Sequence, residues 1–152
     1  MNDRIPTIDT NLRQDFVTAA VSRAGYPYQW GASGPEKFDC CGLVEWSMNQ
    51  IDVSLGDICS ADLYSIFHGK KVLEPAAKPG SLWLYSNTRE ADKITHVMIM
   101  ARSWGGGGTL IGSRGGGSTT IDDKTAWEHR AFVDLVMTDY WHNNLVFIVD
   151  PF

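Results

Sequence analysis

The spacing of apolar residues changes along the chain from helical intervals to the short runs of β-strands. This change is the sequence feature that most constrains the fold. Apolar residues recur at helical intervals over residues 10–24, and Gly25 follows as a natural helix terminator. The same reasoning predicts a second helix over residues 40–50 and a third over residues 61–68. From residue 82 onward the apolar runs are short and lie between glycine or proline residues, which is typical of β-strands.

The predicted strands cover residues 82–85, 95–101, 109–111 and 145–149, with a hairpin turn at the glycines of residues 105–108. Residues 126–136 fit a helix or a strand. Helices first and antiparallel strands afterwards predict an α+β fold, with N-terminal helices packed on one antiparallel sheet. The length of 152 residues suits a single domain, residues 1–152, with its own core.

Charge and hydropathy argue against several classes of partner. The net charge is −5, and no cluster of Lys or Arg exists beyond Lys70 and Lys71, so we expect no nucleic-acid partner. No apolar run approaches the roughly 20 residues of a membrane-spanning helix, so we expect no membrane insertion. The first residues also lack the charged-then-apolar pattern of a signal peptide.

Cys40 lies where a Gly- and Pro-rich loop, residues 25–39, meets the second predicted helix. Backbone N–H groups at a helix N-terminus stabilise an anion, so a thiol there ionises more readily and becomes nucleophilic. The cysteines, at positions 40, 41 and 59, form neither an even disulfide framework nor a Cys-x-x-Cys zinc motif. We therefore expect at least one free thiol and no metal, although a free Cys can also be a small buried apolar residue.

His96 is the best-placed candidate base among the four histidines. It opens a predicted strand, and a strand holds a side chain more rigidly than a loop does. A structural or solvent-facing His is the alternative. His68 falls at a predicted helix end, while His129 and His142 lie among residues typical of a surface. Cys40 with His96 as its base indicates a cysteine hydrolase.

Four short motifs carry a more specific resemblance. In order they are GYPYQWG at residues 25–31, FDCCGLV at 38–44, PGSL at 79–82 and THVMI at 95–99. This set resembles the NlpC/P60 family of cell-wall cysteine peptidases, with its Pro-Tyr-x-Trp-Gly-Gly, Asp-Cys-Ser-Gly-Leu-Val, Pro-Gly-Asp-Leu and His-Val-Gly-Ile elements. The resemblance implies a papain-like fold and cleavage of peptidoglycan stem peptides, often between D-glutamate and a diamino acid.

The resemblance also implies roles for individual residues. Cys40 is the nucleophile, His96 the base, and the Cys40 N–H part of the oxyanion hole. Implied substrate-binding residues are Tyr28, Trp30, Asp39 and Cys41. The stem peptide is the implied partner, and no metal or organic cofactor is implied. With no signal-peptide pattern, we expect synthesis in the cytoplasm and action on the wall after phage-type release or injection.

Three positions depart from the family pattern. Cys41 replaces a Ser and is itself a possible nucleophile, and Ser81 replaces an Asp. The residue that orients the His in many relatives falls on Gly112, which has no side chain. Ser113, a water or a backbone carbonyl is a possible substitute. The alternatives are an N-acetylmuramoyl-L-alanine amidase or injected amidase toxin, an enzyme that transfers the acyl group to an amine, and an inactive wall-binding or phage-tail module.

Overall fold

The computed structural model describes the backbone of residues 4–152 and the side chains of residues 11–152. The α-helices of this part are α1 (Arg4–Val21), α2 (Cys40–Asn49), α3 (Ser60–Phe67) and α4 (Asp123–His129). Its strands are β1 (Lys71–Val72), β2 (Leu82–Tyr85), β3 (His96–Trp104), β4 (Gly107–Arg114), β5 (Phe132–Met137) and β6 (Leu145–Val149). They form one sheet in the order β1-β6-β2-β3-β4-β5, and all neighbouring strands are antiparallel.

Both faces of the central strands are covered, which explains their nearly continuous apolar sequence. Side chains alternate between the faces of a strand. In β2, Leu82 and Leu84 belong to the main core, which includes apolar side chains of α1 and α2, while Trp83 and Tyr85 belong to a smaller cluster on the other face. Helices α1 and α2 thus pack on one face of the sheet, and the predicted α+β architecture is confirmed.

The structure differs from the predicted boundaries in the first helix. Helix α1 begins at Arg4 rather than at residue 10 and ends at Val21 rather than at residue 24. The chain tightens after Val21, because Arg23 N donates to Ala20 O and Ala24 N donates to Val21 O, each at 3.1 Å. These bonds reach back three residues, as in a closing 3₁₀ turn.

The undecided stretch, residues 126–136, contains a helix and a strand. Helix α4 ends at His129, and Arg130 takes a left-handed conformation with φ of 53° before β5 begins at Phe132. The glycine hairpin is shorter than predicted, since β4 already begins at Gly107. Strand β1 was not predicted. Its two residues pair with β6 at the edge of the sheet, too short a run to show a periodic pattern.

Within residues 4–152, no helix is both long and apolar enough to cross a bilayer.

Candidate active site

Asp39 sets the start of α2 and therefore the position of Cys40. Its Oδ1 accepts a hydrogen bond from Gly42 N at 2.7 Å, the usual bond of an N-cap residue. Its Oδ2 accepts from Gly31 N at 3.1 Å, so the same carboxylate also holds the preceding loop. The helix needs glycine at position 42, because a Cβ there would lie 2.0 Å from Ala32 O. Cys40 is consequently the first residue of the helix.

The Cys40 thiol lies among groups that favour its charged form. A hydrogen bond from the Cys41 thiol is the main cause that lowers the pKa of Cys40 well below its usual value. The hydrogen bond and positive charge of His96, and the backbone N–H of Val97, act in the same direction against the cost of burial. Cys40 is therefore prepared to act as a thiolate.

Cys41 has the opposite character. Its hydrogen bond with Cys40, together with burial, raises the pKa of Cys41 far above its usual range. Cys41 therefore keeps its proton at a pH at which Cys40 ionises. Of the two adjacent thiols, Cys40 is therefore the one that ionises more readily.

The His96 ring lies within a cluster of aromatic side chains at the start of β3. Its centroid is 5.7 Å from that of Tyr85, 6.0 Å from that of Tyr140 and 6.2 Å from that of Trp141. Tyr85 is its partner in the β2–β3 register. The Tyr140 hydroxyl lies 3.5 Å from His96 Nε2. Tyr140 was not identified from the sequence, because it lies in the β5–β6 connection, where no local pattern indicates a contact with β3.

The other histidines have contacts outside this cluster. His129, the last residue of α4, has its Nδ1 2.7 Å from Oγ1 of Thr120, which precedes that helix. His142 Nε2 is 2.6 Å from Glu74 Oε1 on the surface. The His68 ring packs at 6.2 Å from the Tyr64 ring at the end of α3. His96 is thus the histidine that the fold brings to Cys40.

The space beside Gly112 is filled by Met98. A Cβ on Gly112 would lie 2.3 Å from Met98 Sδ, so a side chain at position 112 requires Met98 to move. Ser113, the proposed substitute, is buried and donates its hydroxyl proton to Phe38 O at 2.7 Å. It ties β4 to the loop before α2, whereas the hydroxyl found next to the His96 ring is that of Tyr140.

A cavity of about 620 Å³ opens over Cys40 and His96. All the predicted substrate-binding residues line it, as does Ser113, and further lining residues are Cys59, Arg114, Tyr140 and Trp141. Trp30 is 55% exposed and forms an open wall, whereas Tyr28 is 5% exposed. The Tyr28 ring packs directly on Gly116, where a Cβ would lie 2.2 Å from it.

Two further groups at this end of the cavity, Tyr28 and Asp39, have raised pKa values. Burial first, and then the charges of Cys40, Asp39 and Cys41, raise the pKa of Tyr28 above its usual value. Burial is also the main cause that raises the pKa of Asp39, against the hydrogen bond from Gly42 N. Among the described residues, no group of three or more His, Cys, Asp or Glu side chains is arranged to bind a metal ion.

The NlpC/P60 family model matches residues 25–149 of the chain. One curated relative is the bifunctional muramidase/DL-endopeptidase CwlT of Bacillus subtilis (strain 168), with 33% identity over 130 residues. The match covers 84% of this chain but only 33% of CwlT, so the chain spans about a third of that relative's length.

Solved structures show the same fold. The NlpC/p60 domain of the peptidoglycan hydrolase SagA has a TM-score of 0.66 at 22% identity, covering 91% of this chain and 97% of that domain. RipD from Mycobacterium tuberculosis, described as a non-catalytic NlpC/p60 domain protein adapted to peptidoglycan binding, has a TM-score of 0.62 at 20% identity, covering 93% and 98%. Because the family model matches most of the sequence, the chain belongs to the NlpC/P60 family.

Proposed function

We propose that this protein is a cysteine endopeptidase that cleaves an amide bond within the peptidoglycan stem peptide. The observation that carries the proposal is the Cys40–His96 pair, in which the surroundings lower the pKa of Cys40 at the floor of an open cavity. The name of CwlT, a DL-endopeptidase, supports the bond between D-glutamate and a diamino acid as the one cleaved.

In the acylation step, the Cys40 thiolate attacks the scissile carbonyl carbon, and a C–S bond forms as the carbonyl oxygen becomes an oxyanion. The backbone N–H of Cys40 begins α2, has no intrahelical acceptor, and is available to stabilise that oxyanion. Protonated His96 then gives its proton to the leaving amine nitrogen as the C–N bond breaks. This leaves a thioester on Cys40 and a neutral imidazole.

In the deacylation step, a water molecule replaces the departed amine. Neutral His96 accepts a proton from the water as its oxygen bonds to the thioester carbon. The C–S bond then breaks, which regenerates the Cys40 thiolate beside protonated His96 and releases a carboxylic acid. Cys41 is the main cause that lowers the pKa of Cys40, so it stabilises the thiolate and favours this departure.

The cavity walls suit a polar peptide. Trp30 is the exposed aromatic residue of the cavity wall, and the nearly buried Tyr28 lines the cavity beside it. Both Asp39 oxygens accept backbone hydrogen bonds, so its primary contribution is to hold Gly31 and α2 in place. Any contact of Asp39 with the stem peptide would use its remaining acceptor capacity.

Purified sacculi and the variant Cys40→Ala test this proposal. We expect the unmodified protein to release soluble peptides from sacculi and Cys40→Ala to release none. Cys59→Ser is the matched control, since Cys59 lines the same cavity but is not the proposed nucleophile. Equal activity of the unmodified protein and Cys40→Ala, or equal inactivity, would refute it. Release of peptides carrying the L-alanine amine, with sugars left bare, would instead indicate an amidase.

A peptidoglycan-binding module without catalysis is the second candidate. The absence of a side chain at position 112 and the fold shared with non-catalytic RipD favour it. In that case sacculi would retain the protein in a pull-down, Cys40→Ala would bind equally well, and no peptide would be released. Delivery to the wall by phage-type release or by injection stays a prediction.

A further inference from the structure

The base of this site lacks its expected neighbour on the sheet. Position 112 is glycine, and the Met98 side chain fills the adjacent space. An imidazole that must accept and return a proton needs a fixed orientation and a defined tautomer. Some other group must supply both if the pair reacts efficiently.

We propose that the Tyr140 hydroxyl positions His96, from the β5–β6 connection rather than from the neighbouring strand. This inference rests on the proposed hydrolase function for its consequence on the rate. The direct observation is the 3.5 Å separation between Tyr140 Oη and His96 Nε2. With Nε2–H donating to Tyr140, the Nδ1 lone pair is the one left to face the Cys40 sulfur.

This arrangement serves both charge states of the ring. Neutral His96 with its proton on Nε2 presents Nδ1 as the base, and the imidazolium adds a second proton at Nδ1 while keeping the first bond. Tyr140 transfers no proton in either state. Burial raises the pKa of Tyr140, so its hydroxyl stays neutral and does not act as a competing anion.

The Arg114 guanidinium, itself bound to Asp134, packs on the Tyr140 ring. The Arg114 Cζ atom lies 5.4 Å from the centroid of that ring. Arg114 Nη2 donates to Asp134 Oδ2 at 2.9 Å across the β4–β5 pair. The guanidinium is thus held over the ring by a partner on a regular strand, and a cation over an aromatic face is attractive.

The backbone of the β5–β6 connection is also tied down. Tyr140 N donates to Met137 O at 2.9 Å, which closes the turn after β5. Asn144 Nδ2 donates to Ser86 O, and Ser86 N donates to Asn144 O, each at 2.9 Å. These bonds attach the connection to the end of β2. Tyr140 therefore contacts His96 from a segment that backbone hydrogen bonds hold in place.

The groups that face the His96 ring come from three elements: Cys40 from α2, Tyr85 from β2, and Tyr140 with Trp141 from the β5–β6 connection. Within the described residues, the Tyr85 hydroxyl is buried without a hydrogen-bond partner, and Nε2 is paired with Tyr140 instead. The geometry thus singles out Tyr140 as the polar contact of the ring's outer nitrogen.

The test is Tyr140→Phe, which removes the hydroxyl and keeps the ring, read by nitrogen NMR of His96 in the full chain at mildly alkaline pH. All proteins carry Cys40→Ala, so that no thiolate holds the ring as an imidazolium and the neutral ring reports its tautomer. We expect the Cys40→Ala parent to hold the proton on Nε2, and its Tyr140→Phe variant to show a mixture of tautomers. Tyr64→Phe is the matched control, because Tyr64 stacks on Phe147 away from the cavity. Arg114→Gln should shift the tautomer in the same direction by less. The same tautomer in Tyr140→Phe and in the Cys40→Ala parent would overturn the proposal.

Kinetics supply the second readout. We expect Tyr140→Phe to lower kcat on muropeptides about tenfold with little change in KM, because the base is less well oriented while the binding walls are intact. Tyr140→Gln, which restores a polar group, should recover part of the loss. An unchanged kcat would overturn the positioning role. If no variant, the unmodified protein included, cleaves peptidoglycan, the proposed function fails, and the NMR result still decides whether Tyr140 sets the His96 tautomer.

Discussion

The effect of Cys41 on the pKa of Cys40 gives a specific prediction about thiol reactivity. Cys41→Ala removes the donor that contributes most to lowering the pKa of Cys40, whereas Cys41→Ser replaces it with a hydroxyl donor of similar size. A hydrogen bond to a charged group is worth about 1.5–3 kcal/mol. Since about 1.4 kcal/mol is a factor of ten, the thiolate fraction of Cys41→Ala at mildly acidic pH should fall roughly tenfold or more.

The assay is the pH dependence of alkylation by iodoacetamide, followed at the Cys40 peptide by mass spectrometry. All proteins carry Cys59→Ser, because exposed Cys59 would otherwise consume reagent. A lowered pKa keeps the thiolate populated below the usual value of about 8.5, and reactivity is lost only as pH falls through the lowered value. We expect the profile of Cys41→Ala to move to higher pH and that of Cys41→Ser to stay close to the starting protein.

Two results would refute this reasoning. Identical profiles for the Ala and Ser variants would show that Cys41 does not donate to Cys40. Preferential alkylation of Cys41 in the starting protein would show that Cys41 is the thiolate and Cys40 the thiol. That outcome contradicts the raised pKa of Cys41, which requires Cys41 to stay protonated.

Further predictions concern stability and the space around the pair. Asp39→Ala should destabilise the protein by about 1 kcal/mol in urea unfolding, because α2 loses its cap, whereas Asp39→Asn should preserve most of the stability. Asp122→Ala removes the equivalent cap of α4 and should leave peptidase activity unchanged. Gly112→Ala should lower the free energy of unfolding, because the added Cβ meets the Met98 side chain. The loss should be smaller in a Met98→Ala background. A double-mutant cycle should therefore give a favourable coupling energy of about 1 kcal/mol or more. Additive losses would contradict that packing.

The positions of Cys40 and His96 could be predicted because each is marked by residues next to it in the chain. Asp39 and the glycine two residues beyond Cys40 mark a helix start by their own chemistry, and the apolar run after His96 marks a strand. Both patterns are contiguous in the chain, so the positions of the thiol and the imidazole follow from them. The fold then brings the two together through the packing of α2 against β3.

The remaining features depend on contacts between distant segments. Tyr140 reaches His96 only because the β5–β6 connection is tied to the end of β2, a contact with no periodic or motif signal. Ser113 follows the position where the family places its orienting residue, yet the approach of the loop before α2 directs its hydroxyl to Phe38. The boundary between α4 and β5 rests on the left-handed conformation of Arg130, which an Arg rarely adopts.

The most direct test of the proposed reaction is mass spectrometry of the products from one purified disaccharide-tetrapeptide, digested in water enriched in oxygen-18. Hydrolysis within the stem predicts a disaccharide-peptide fragment whose new carboxyl group carries one oxygen-18, and a released peptide with a new amine. Cys40→Ala should form neither. A bare disaccharide, a product without the label, or the same products from Cys40→Ala would contradict a Cys40-dependent endopeptidase.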